Sequence, residues 1–167
     1  ERKAAGQAQG LPAFEQVKKS QLPIITDKGV SARVIMGTLW GKTAATTCHA
    51  PTIYADIMLD AGGSIPIEAE ADERAMMLVG GAADISGEEM ELYTLYVMRP
   101  GAPAILNSKS GGRVMLMGGE DFRTPRRVWW NFVSSRQERI DQAAADWAEG
   151  RFPKVAHDPE FIPLPET

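Results

Sequence analysis

The chain has 167 residues, of which 44% are hydrophobic and 24% charged, with a formal net charge of −4. That is enough for one domain with its own core, and the balance excludes a disordered tail. An acidic sum with no long basic run gives no footprint for direct nucleic-acid binding, and no apolar run approaches the ~20 residues that span a bilayer.

Residues 1–12, opening ERKAAGQAQG, have neither a signal-peptide core nor a strand pattern and are read as a linker or disordered start. The lone cysteine, Cys48, cannot close an internal disulfide, so a cytoplasmic location is the expectation. Glycine and proline then cut the sequence into short apolar runs. Strands are expected over 32–36, 52–59, 75–79, 82–85, 91–98, 104–106, 113–117 and 128–133. Turns are expected at Asp27-Lys28-Gly29, Asp60-Ala61-Gly62-Gly63, Ser86-Gly87, Pro100-Gly101 and Gly111-Gly112, where tight reversals need those backbones. Many short strands at near-regular spacing give an all-β sandwich or barrel over 13–133.

One segment reads as a helix. Ser135 followed by Glu138 has the form of a capping box, and Ile140, Ala143, Ala144 and Trp147 fall on one face. Arg139, Gln142, Asp146 and Glu149 then face solvent, and Gly150 ends the run. The tail Phe161–Glu166 contains Pro163 and Pro165 and is expected to run extended, so 134–167 is a helix and tail laid on the barrel. Just before the helix, Trp129 and Trp130 are neighbours in an expected strand, which turns their rings to opposite sides.

WWNFVSS at 129–135, ERI at 138–140, DW and GRF within 146–152, and FIPLP at 161–165 resemble the C-terminal signature of bacterial pirin-family proteins. PAFE at 12–15, LP at 22–23, RVIMG at 33–37, the spacing of Pro51, Tyr54 and Asp56, and MLMGGE at 115–120 are similar in order and spacing to the same region. Pirins are bicupins, two jelly-roll barrels in one chain. The resemblance implies a cupin-type jelly-roll β-barrel with one C-terminal α-helix, matching the second barrel of that pair. In the family the first barrel holds iron through three histidines and a glutamate; some members oxidise flavonols such as quercetin and others act as transcriptional co-regulators.

This chain has only His49 and His157, too few for that ligand set. The cupin pattern of a glycine, five residues, His-x-His, a glutamate and a later glycine is approached by Gly62, Glu68, Glu70, Glu73 and Gly80, with carboxylates in place of both imidazoles. The remaining histidine position falls near Ala104. Glu68, Glu70 and Glu73 with Asp72 are weak candidates for a hard cation such as Ca²⁺ or Mg²⁺; a solvated acidic loop is the preferred reading. Cys48 and His49 point to opposite faces if extended, which favours a structural pair over a nucleophile and base, and His157 reads as a surface imidazole. Met36, Met58, Met76, Met77, Met98, Met115 and Met117 read as core filler in strands.

The expectation is therefore a cupin-type barrel without the iron site and without another cofactor, acting as a structural or partner-binding, regulatory module. Its expected partner is a second copy, as a homodimer, or a pirin-type N-terminal cupin domain. The competing expectations are a metal-dependent dioxygenase of quercetinase type, which would bring iron, and a small-molecule-binding barrel.

Overall fold

The computed structural model describes residues 14–68, 71–154 and 157–165, so the expected linker and Glu70 lie outside the described residues. The chain divides after Asp121 into two compact units.

The first unit contains β1 (Ile24–Asp27), β2 (Val30–Met36), β3 (Thr38–Leu39), β4 (Lys42–Thr43), β5 (Thr52–Leu59), β6 (Ser64–Ile67), β7 (Glu73–Gly81), β8 (Asp84–Ile85), β9 (Glu88–Glu89), β10 (Leu95–Val97), β11 (Ala104–Asn107) and β12 (Gly112–Gly119). They build a six-stranded sheet ordered β1-β2-β5-β12-β7-β10 and a four-stranded sheet ordered β6-β11-β8-β9. Period-2 alternation decides what each sheet buries. In β2, Val30, Ala32 and Val34 point inward; in β7, Met76 and Leu78 do, and in β12, Val114 and Leu116. These meet Ile65, Ile67, Ala104 and Leu106 of the smaller sheet in one core.

The sheets are closed by backbone devices that the sequence carries locally. Trp40 and Gly41 link β3 to β4 and take φ values of 49° and 70°, the left-handed pair that suits a two-residue hairpin loop. Trp40 Nε1 then donates to the Pro66 carbonyl at 2.8 Å, pinning β6. A bulge in β2 between Val34 and Met36 takes Ile35 out of register, and the Thr46 hydroxyl donates to the Ile35 carbonyl at 2.7 Å.

The second unit holds β13 (Arg127–Trp129), β14 (Phe132–Ser134) and α1 (Gln137–Ala148). The single strand expected over 128–133 is instead a hairpin: Trp130 takes φ 51° in the turn, so the two tryptophans are not alternating strand residues. Their rings meet edge to face at 6.4 Å, and Trp130 contacts Trp147 of the helix at 5.1 Å. Phe132, Phe152 and Phe161 extend this ring cluster, which packs the helix and the tail against the hairpin of the same unit. Helix α1 begins one residue later than the capping box requires. Arg136 is the N-cap without a side-chain bond, and Ser134 rather than Ser135 accepts from its N–H. The other end is as expected: Gly150 takes φ 67°, and the Gly150 and Arg151 amides cap the Trp147 and Asp146 carbonyls. The tail through Phe161–Pro165 has no regular structure, and Trp147 Nε1 holds it by donating to the Ile162 carbonyl at 2.8 Å.

Candidate functional site

The barrel interior is decided at the start of β7. Alternation places Glu73 outward, where it is exposed, and Arg74 inward at 2% exposure, on the same side as Met76 and Leu78. Glu73 of the expected Glu68, Glu70, Glu73 set therefore does not face the core. A guanidinium does.

Among the described residues, Arg74 is held by carbonyls rather than by a carboxylate. Nη1 donates to Glu68 O at 2.9 Å, and Nη2 donates to Ala102 O at 2.6 Å and to Arg99 O at 3.2 Å. These acceptors come from the segment after β6 and from the loop between β10 and β11, so one side chain ties three parts of the barrel end together. Nε–H has no acceptor among the described residues. Burying a charge without a counter-ion is costly, and charge-assisted bonds to three carbonyls offset much of that cost.

An open cavity of about 440 Å³ lies in the first unit, lined in part by Thr38, Cys48, Thr52, Glu68, Asp72 and Glu120. Glu68 is half-buried there; Asp72 is exposed, and its carboxylate accepts the Asp121 N–H at 3.3 Å. Among the described residues no three His, Cys, Asp or Glu side chains converge as a metal would require. His49 is exposed, and half-buried Cys48 donates its thiol to Thr46 O at 3.7 Å. His157 is exposed in the second unit. With a buried guanidinium and a half-buried carboxylate in the first unit and only two histidines in the sequence, the described residues do not fit a three-histidine iron centre.

Arg74 is the residue that reading by type misses, because arginine in a loop-flanked acidic stretch reads as surface. The signal available was its parity with Met76 and Leu78.

A second polar constellation was also not anticipated. On the outer face of the larger sheet, Asp56 is only 5% exposed and lies between Arg113, at 2.8 and 3.0 Å, and Arg33, at 3.4 Å. The paired Asp56 carboxylate raises the Arg113 pKa above its ordinary value. Met115 and Met77 continue the same cross-strand row to Leu95, so most of the expected core methionines are on the outward side: Met58 is 55% exposed, and only Met76 is fully buried.

Residues 54–153 match the family model described as the Pirin C-terminal cupin domain. A pirin-like protein of Caulobacter vibrioides is 37% identical over 149 residues, covering 88% of this chain and 51% of its own length. Human pirin is 26% identical, covering 84% of this chain and 51% of its own. The crystal structure of a quercetin 2,3-dioxygenase from Acinetobacter baumannii superposes with a TM-score of 0.79 at 26% identity, covering 87% of this chain and 50% of that one. The chain thus spans about half the length of these relatives, and its fold is the cupin jelly roll with one C-terminal helix.

Proposed function

The chain belongs to the family of pirin C-terminal cupin domains, and on that premise we propose that it is a metal-free cupin barrel acting as a structural or partner-binding, regulatory module. The observation that carries this reading is Arg74. A permanent cation fixed in the barrel end by Glu68, Arg99 and Ala102 carbonyls opposes a divalent cation there. The cross-bracing it supplies is work that a metal does in other proteins. Partner binding is supported by the relatives, in which the matching stretch makes up about half of the length and lies beside as much chain again. A second copy, or a separate barrel of the N-terminal kind, is the partner this reading names.

The test is to equilibrate the purified protein with Fe²⁺ under reducing conditions, remove free metal and follow quercetin consumption. No turnover is expected. Turnover proportional to bound iron would replace this reading with an oxygenase of quercetinase type, the activity named for the Acinetobacter structure.

A second reading rests on the 440 Å³ cavity, whose mainly apolar lining, with a few hydroxyl, thiol and carboxylate groups, suits a small and largely apolar ligand. Ligand binding to the folded state alone raises the melting temperature, so a thermal-shift panel tests it. Absence of any shift across polyols, amines and flavonols counts against it.

A further inference from the structure

The two main sheets end in four edge strands among the described residues, and three of them carry the features that discourage pairing with another chain. β1 ends in Asp27, β6 contains Pro66, and β9 consists of Glu88 and Glu89. β10 is Leu95-Tyr96-Val97, with neither a charge nor a proline.

Its free side is also presented for pairing. Met98 N–H donates to Arg74 O at 2.9 Å, and Tyr96 is in register with Met76, so the backbone groups of these residues face β7. Alternation turns those of Leu95 and Val97 away from the sheet. Leu95 is 47% and Val97 75% exposed, and Leu92 and Tyr93 just before them are 50% and 71% exposed. An unprotected apolar edge of this kind is a template for another strand.

We infer that the β10 edge is the self-association surface of this chain, pairing antiparallel with β10 of a second copy about a two-fold axis near Tyr96. The inference rests on the partner-binding reading and names its surface. A two-fold crossing sets Leu95 of each copy opposite Val97 of the other, so the backbone groups that β10 leaves free satisfy one another. It continues the row Met115, Met77, Leu95 into Val97 and Ala75 of the second copy, giving one extended apolar sheet face. The ends of the segment are complementary in charge. Glu91 precedes it and Arg99 follows it, both exposed, and antiparallel pairing brings each copy's Glu91 to the end that holds the other's Arg99. That complementarity is what favours a second copy over an unrelated strand.

Sedimentation equilibrium over a range of concentrations tests this. The wild-type chain is expected to dimerise, and Val97→Pro to be monomeric with an unchanged far-UV spectrum, since its N–H faces away from β7. Glu91→Lys is expected to weaken the dimer by roughly tenfold or more through like charges, and Glu91→Lys with Arg99→Glu to restore it. The reciprocal rescue does not depend on how well the proline variant folds. A wild-type monomer at all concentrations overturns the inference, as does a dimer indifferent to the charge reversals. The second outcome leaves partner binding standing through another surface, whereas iron-dependent turnover removes the partner-module reading without bearing on β10.

Discussion

Arg113 on β12 grips Asp56 on β5 with two hydrogen bonds, Nε to Oδ1 at 2.8 Å and Nη2 to Oδ2 at 3.0 Å. Arg33 on β2 reaches the same carboxylate at 3.4 Å, so one acid links three neighbouring strands on the outward face of the larger sheet. Asp56→Asn keeps the shape and removes the charge. Because both arginines are partly exposed and can rehydrate, the expected loss is about 1–3 kcal/mol in urea unfolding, less than for a fully buried pair. A neutral substitution would show that the triad contributes nothing to stability.

Asp84 on β8 is held below its ordinary value of 3.8, chiefly by the Asn107 side-chain amide and then by the Gly87 backbone N–H. A carboxylate with a depressed folded pKa contributes stability that is complete above its unfolded value and is lost as pH falls through the folded one. The gap in melting temperature between wild type and Asp84→Asn is therefore expected to be steady near neutrality and to close below 3.8. A gap unchanged down to about pH 2 contradicts the assignment.

Much of the larger sheet was legible because its strands alternate or run apolar without interruption. Residues 52–59 and 113–117 fall within β5 and β12 as expected. β6 was hidden by Pro66, which reads as a breaker although an edge strand tolerates it. β1 was hidden by its brevity and polar end, and the hairpin at Trp130 lacks the glycine or proline that announces a turn. The charged residues decided the site and were the least legible: Arg74 and Asp56 are buried by partners far away in sequence, which composition cannot show.

Gly37 takes φ 73°, and a Cβ built there would lie 1.9 Å from the Thr52 carbonyl oxygen, against backbone that cannot yield cheaply. Gly37→Ala is expected to cost about 2–4 kcal/mol, seen as a lower urea midpoint. Gly62 also has a positive φ but open space around it, so Gly62→Ala should cost about 1 kcal/mol. Equal effects at the two sites would contradict the steric account of Gly37.

In the second unit, Trp147→Phe keeps a ring in the aromatic cluster and deletes the bond to Ile162 O. The expected loss is about 1 kcal/mol, with faster hydrogen exchange and proteolysis confined to residues 161–165. Protection of that tail unchanged in the variant would show that ring packing alone holds it.

The most direct test of the metal-free reading is elemental analysis of the untagged protein after dialysis against Fe²⁺, Mn²⁺, Ni²⁺ and Zn²⁺ in turn, beside an Arg74→Met variant. The expected result is a wild-type chain that retains no stoichiometric metal and a variant that is destabilised without gaining any. A tightly held, stoichiometric transition metal in the wild-type protein would contradict it, and would mean that other side chains rebuild a cupin centre despite the guanidinium at position 74.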